Sequence, residues 1–290
     1  MRGGKAIPVL TILAAIVAAW YIGAYFMNAP FQRGMNERRG ETPGFAEFVG
    51  QTMSQPKPTL PAPHQVAINF VDNTFLVKVT SARSLVYHSW VTLSSTMLGF
   101  LFGTVLGILI AVGIVHVTAL DRSLMPWIIA SQTIPILALA PMIVVVFAAI
   151  GLTGLIPKAL ISTYLSFFPV AVGMVKGLRS PERAYLDLMH TYSASRSDIF
   201  WKLRLPASVP YLFASMKVAV AVSLVGAIVG ELPTGAVAGI GAKLLSGSYY
   251  SQTIEIFAAL VAGSILAMLL VTTVGLVGRI TERAMGAQPA

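Results

Sequence analysis

An all-α, polytopic membrane fold with six transmembrane helices is what this sequence predicts, on three observations. Hydrophobic residues make up 56% of the 290 and charged residues only 11%, with a mean hydropathy of +0.78; a soluble domain carries about twice that charged fraction. Apolar runs recur along the chain at or near the roughly 20 residues a helix needs to cross a bilayer. The basic residues collect between alternate runs, as they do in loops facing the cytoplasm.

Composition also excludes whole classes of function. Cysteine is absent, which removes disulfides, thiolate metal sites and cysteine catalysis. The net charge of +9 would suit nucleic acid, yet no basic stripe is interleaved with aromatics, and no nucleic-acid partner is expected. The four histidines, at 64, 88, 116 and 190, are scattered, with no convergent catalytic or metal-binding set.

The first run, residues 7–27 behind Arg2 and Lys5, exceeds the 7–15 residues of a signal-peptide core and reads as an uncleaved anchor, so 1–27 forms a cytoplasmic start and first helix. Residues 28–83, with Pro30, Pro43, Pro56, Pro58, Pro61 and Pro63, form an extramembrane excursion with no spanning stretch. Its one short pattern, at 66–71, suits a strand or a single amphipathic turn. Further spans are expected at about 89–117, 124–150, 158–175, 209–229 and 253–278, closing a core over 84–278, and 279–290 is a tail. Gly99, Gly103, Gly107 and Ala111 recur at four-residue spacing and predict a close-packing helix face. Pro126, Pro135 and Pro141 break the third span, as a packed kink or as a kink lining a pathway beside Ser131, Gln132 and Thr133.

Orientation follows from the basic residues. With the N-terminus inside, the inner segments hold Arg2, Lys5, Arg122, Lys176, Arg179, Arg183, Arg196, Lys202, Arg204, Arg279 and Arg283, against Lys158 and Lys243 in the short outer loops. Both termini are expected in the cytoplasm of a bacterium whose inner membrane holds the chain, with the polar stretch 176–206 on the same side.

That stretch carries the chemistry. Ser180 suits an N-cap, Pro181 the first helical position and Glu182 the positive end of the dipole. Tyr185, Leu188, Met189 and Tyr192 fall at i, i+3, i+4 and i+7, building one apolar face, with Arg183, Asp187 and His190 opposite. Serines at 193, 195 and 197 interrupt the helix. Ser195 and Asp198 then resemble a capping box for a second short helix that Pro206 stops. Such a pair fits a knob presented to a partner or a loop lying on the membrane surface.

The segment resembles the coupling loop of ABC-importer permeases, whose pattern is Glu-Ala-Ala, three residues, Gly, nine residues, Ile, one residue, Leu-Pro. Asp187, Leu188 and Met189 stand at Glu-Ala-Ala, Ser193 at the Gly, Leu203 at the Ile, and Leu205 and Pro206 at Leu-Pro. The spacing fits, while Asp, Leu, Met and Ser replace the usual residues. The stretches 133–141, 167–169, 177–180, 205–211 and 230–231 resemble the nitrate/taurine/sulfonate-type branch of binding-protein-dependent permeases.

The resemblance implies a five-helix type I importer core plus an N-terminal helix, with cytoplasmic coupling helices. It also implies two permeases, identical or related, bound to a cytoplasmic ABC ATPase dimer and a periplasmic solute-binding protein. No Gly-x-x-x-x-Gly-Lys-Ser/Thr loop occurs here, so the chain is not expected to be an enzyme or to hold a cofactor of its own; ATP belongs to the partner. Tyr185, Leu188, Met189 and Tyr192 would supply buried area on the ATPase, and Asp187 or Arg196 polar register. The solute would be of the nitrate, sulfonate, taurine or pyrimidine-precursor type.

Pathway candidates are Gln132, Thr133, Pro135 and Glu231, since polar groups inside a bilayer are costly. Glu231 and Glu255 equally suit an outer interface where water or a loop donor satisfies them. His116 reads as packing, and Tyr249 and Tyr250 as an aromatic belt. A stand-alone secondary transporter or channel would want ionisable residues at the bilayer midplane, where this chain places none.

Overall fold

A computed structural model describes residues 6–233, 236 and 238–286, so Arg2 and Lys5 lie outside the described residues. All regular structure among the described residues is helical. In chain order the helices are α1 (Ala6–Arg39), α2 (Phe45–Met53), α3 (Pro63–Val71), α4 (Leu85–His116), α5 (Thr118–Ser131), α6 (Ile136–Ala149), α7 (Leu155–Leu178), α8 (Arg183–Thr191), α9 (Arg196–Ile199), α10 (Leu205–Glu231), α11 (Ile240–Tyr249) and α12 (Thr253–Ala284). Two π turns, Asp72–Leu76 and Phe200–Arg204, follow α3 and α9. Five helices among the described residues are long and apolar enough to span a membrane, or six spans if the bent pair α5–α6 counts as one. The chain divides into two compact units, one of residues up to His88 with Lys243–Ala262, the other of Ser89–Ala242 with residues from Gly263 onward.

In the first unit α1 presents Ile7, Leu10, Ile12 and Ile16 outward, as a lipid-facing anchor does. The anchor was expected to end near Met27, but the helix runs on to Arg39, carrying Pro30 inside it. The reason is a polar stripe, Asn28, Gln32 and Asn36, spaced four apart on one face and buried. Asn28 accepts from the Thr59 and Leu60 amides at 2.9 and 3.1 Å and donates to the Leu60 carbonyl at 2.8 Å. Gln32 donates to Asn36 at 3.0 Å, and Asn36 to Gln51 of α2 at 2.9 Å.

The excursion at 28–83 therefore folds back on the extended α1. Residues 66–71 resolve to helix: Pro63 opens the first turn and Gln65 accepts from the Ala62 amide at 3.1 Å. In the same unit Trp20 donates to the Pro61 carbonyl at 3.0 Å and packs on Phe257, ring centroids 5.8 Å apart.

In the second unit the glycine face of α4 does what its spacing predicts. A Cβ on Gly99 would lie 2.2 Å from Ser162 Cβ, and one on Gly107 would lie 2.8 Å from the Phe167 carbonyl, so α4 and α7 approach almost to backbone contact. Serines tie the packed helices: Ser162 donates to the Ser223 carbonyl and Ser223 to the Thr96 carbonyl, each at 2.9 Å. Apolar helices gain little by leaving lipid for one another, so close packing and such bonds hold the bundle.

The proline-rich span is bent by 97° between α5 and α6. Pro126 and Pro141 remain inside their helices; the break falls at Pro135, the N-cap of α6. Pro135 has no N–H to offer the Ser131 carbonyl one turn back. The Tyr164 hydroxyl of α7 donates to that carbonyl instead. Gln132 and Thr133 stand exposed at the break, with Thr133 bonded to the Ala130 carbonyl at 2.8 Å.

Candidate functional site

The loop between α7 and α10 departs from expectation at its start. Ser180 does not cap α8; its hydroxyl donates back to the Gly177 carbonyl at 2.7 Å, closing α7. Glu182, with extended backbone, is the N-cap, and its carbonyl accepts from Tyr185 at 3.1 Å.

The end of α8 explains the family glycine. Ser193 has φ +54°. Its amide donates to the His190 carbonyl at 2.9 Å, and the Ala194 amide to the Met189 carbonyl at 3.0 Å. This is a Schellman motif, in which the residue after the cap takes the left-handed conformation that glycine adopts without strain. Serine stands in that role here.

The capping box forms as expected. Ser195 Oγ accepts from the Asp198 amide at 3.1 Å, and Asp198 Oδ2 accepts from the Ser195 amide at 3.3 Å. Asp198 also pairs with Lys202 at 2.5 Å. Pro206, expected to stop the second helix, does not. The chain widens into the π turn Phe200–Arg204, where the Leu205 amide reaches back to the Phe200 carbonyl. Pro206 then sits in the first turn of α10, where its missing donor costs nothing.

Between these fixed ends α8 turns its apolar face outward. Tyr185 is 56% exposed, Leu188 51% and Tyr192 78%, and Asp187 is exposed beside them. Met189, Leu203, Leu205 and Pro206 are half-buried. The exposed face is thus Tyr185, Leu188 and Tyr192, joined along the loop by Trp201 at 62%. Trp201 went unnoticed in the sequence, although a tryptophan among charged residues is a signal of a surface meant to be covered.

Two contacts fasten the loop to the turn between α4 and α5. Arg179 Nη2 lies 2.9 Å from Asp121 Oδ2, and Phe200 meets His116 edge-on with centroids 5.0 Å apart. Neither pairing was legible from spacing, since each joins residues more than fifty positions apart.

The remaining candidates lie elsewhere in the second unit. Glu231 is fully buried and enclosed. Thr92 donates to both carboxylate oxygens at 3.0 Å, the Gly241 amide donates at 2.8 Å, and Lys158 Nζ stands at 3.8 Å. A loop donor satisfies it, one of the two readings its position allowed. A Cβ on Gly239, whose φ is +130°, would sit within 2.4 Å of that carboxylate, so only glycine lets the loop close over it. The structure does not bring Glu231 into one surface with Gln132 and Thr133. In the first unit Glu255 pairs with Lys243 at 3.0 Å.

Residues 103–287 match the family of binding-protein-dependent transport system inner membrane components. The formylaminopyrimidine transport permease ThiX of Halalkalibacterium halodurans is 32% identical over 64% of this chain and 69% of its own. The riboflavin transport system permease RibX of Chloroflexus aurantiacus is 30% identical over 81% of this chain and 84% of its own. A subunit in an inward-facing structure of the MetNI methionine ABC transporter superposes with a TM-score of 0.58 at 20% identity, covering 69% of this chain and 95% of that one.

The fold and these likenesses define a multi-pass inner-membrane permease subunit. The chain belongs to the binding-protein-dependent transport system inner membrane component family, as an ABC importer permease of the nitrate/sulfonate branch.

Proposed function

We propose that this permease carries a small solute, delivered by an external binding protein, inward on the power of an ABC ATPase docked at the 176–206 loop. The observation that carries the reading is the outward apolar face of α8, held between a Schellman cap and a capping box. A rigid, amphipathic helix with Tyr, Leu and Tyr exposed has the composition of an interface core lacking its other half. With both termini and this loop in the cytoplasm, Tyr185, Leu188, Met189 and Tyr192 supply the buried area. Asp187 sets the register, and Leu203, Leu205 and Pro206 carry the motion into α10.

A second permease, identical or related, completes the pathway, which Gln132, Thr133 and Pro135 line at the break between α5 and α6. Glu231, enclosed as it is, ties residues 239–241 at the start of α11 to Thr92 of α4 and does not line that pathway. ATP stays on the partner. Among the solute types of this branch, a pyrimidine-type vitamin precursor is favoured, because the relative named for formylaminopyrimidine transport is 32% identical, against 28% and 23% for relatives named for nitrate and sulfonate transport.

Affinity purification of the tagged chain from its host membrane tests this: an ABC ATPase co-isolates with the native protein and is lost from a Tyr185→Asp, Leu188→Asp variant that still inserts. Retention of the ATPase by that variant would remove α8 from the interface.

A further inference from the structure

We propose that the cavity between the end of α4 and the 186–204 segment binds a hydroxyl-bearing phosphate, either free hydrogen phosphate or the glycerol-phosphate headgroup of an anionic lipid. The cavity is about 280 Å³. Its polar lining is His116, His190, Arg196 and Arg204, and Leu186 and Phe200 form part of its wall. None of its lining residues carries a carboxylate. Of the acids nearby in sequence, Asp198 is engaged by Lys202 and Asp121 by Arg179, and Asp187 is exposed on α8 and is not among the lining residues. Two guanidiniums therefore line one concave space whose walls carry no carboxylate, and their planar forks match phosphate oxygens. The volume, at the small end for ligand sites, suits a headgroup or a small anion.

His116 refines the chemistry. Its Nδ1 lies 2.8 Å from the Val112 carbonyl, which only accepts, so Nδ1 carries the proton and Nε2 of the neutral ring keeps a lone pair. Phe200, edge-on to the ring, restrains it. The ligand must then offer oxygens to the arginines and an O–H to the imidazole. Hydrogen phosphate and a glycerol headgroup have both, whereas sulfate has no O–H at neutral pH. The site is distinct from the outward face of α8, so it stands whether or not an ATPase docks there. A ligand in it would brace α8 and the π turn against α4.

The test uses the full-length chain in nanodiscs of phosphatidylcholine, with and without phosphatidylglycerol. Native mass spectrometry reads retained lipid, and thermal shift reads inorganic phosphate against sulfate. Selective retention of phosphatidylglycerol assigns the lipid source, and saturable stabilisation by phosphate over sulfate assigns the free anion. In either case Arg204→Gln should weaken binding about tenfold, the loss of one charge-assisted bond, while Arg204→Lys, which keeps the charge but not the fork, should lose less than that. His116→Ala should abolish the preference for phosphate over sulfate and lower, without abolishing, the retention of phosphatidylglycerol over phosphatidylcholine. This readout serves even if Arg204→Gln fails to fold. Absence of both preferences in the native chain, or a preference that His116→Ala leaves intact, overturns the proposal.

Discussion

Arg179 Nη2 lies 2.9 Å from Asp121 Oδ2, joining the first residue beyond α7 to the first turn of the broken span. The pair is partly exposed, so it contributes at most about 1 kcal/mol to stability. If the 176–206 loop moves as proposed, its displacement would reach α5 through this bond. Asp121→Arg should lower coupled uptake in membrane vesicles while leaving the protein level and melting temperature near native. The exchange Asp121→Arg with Arg179→Asp should recover much of the uptake, because the pair is restored with its charges reversed. Failure of the exchange to recover anything would leave the pair without this role.

The left-handed Ser193 yields a prediction of opposite sign from most substitutions. Ser193→Gly should stabilise the end of α8 by about 1 kcal/mol, since glycine takes φ +54° without strain. Ser193→Val should destabilise it by at least as much, because a β-branched residue is poorly tolerated there. Amide hydrogen exchange at Ala194, whose N–H closes the Schellman motif, reads both effects locally.

Tyr164 tests the account of the broken span. Tyr164→Phe removes the hydroxyl that replaces the N–H missing at Pro135, leaving the Ser131 carbonyl only the long bond from the Ile134 amide at 3.4 Å, at a cost of about 1 kcal/mol. A lower melting temperature is expected, with faster exchange of the amides around residues 132–134. An unchanged melting temperature would mean that water takes the place of the hydroxyl.

Gly99→Ala should be among the most damaging of small changes. The added methyl would lie 2.2 Å from Ser162 Cβ and 2.6 Å from the Ala159 carbonyl, and a backbone atom cannot swing aside as a flexible side chain does. Overpacking of this kind costs roughly 1–3 kcal/mol. Gly34→Ala, where no atom lies within 4 Å of the added methyl, is the control and should be silent or slightly stabilising in its helix. Detergent-solubilised melting curves separate the two.

What could be read from sequence divides along physical lines. Spans, the glycine face of α4 and the capping box at Ser195 were legible because each depends on residues a few positions apart in one helix. The continuation of α1 past Met27 was not, because its polar stripe is satisfied by Gln51, Gln55, Thr59 and Leu60, which a chain reversal delivers. Pro206 misled for a related reason. A proline ends a helix or starts one, and the π turn at 200–204 lets it start α10 without a break. Of the site, the apolar face of α8 was visible by period. The pairing of Arg179 with Asp121 and the enclosure of Glu231 needed the packed helices.

On the proposed reading the face of α8 turns to the cytoplasm and is covered there by an ATPase. The chain contains no cysteine, so Leu188→Cys introduces a unique thiol on that face. The direct measurement is its labelling by a membrane-impermeant maleimide. The account predicts modification in inverted vesicles stripped of the ATPase, protection when the ATPase is restored, and none in intact spheroplasts. Labelling in intact spheroplasts, or equal labelling with and without the ATPase, would contradict it.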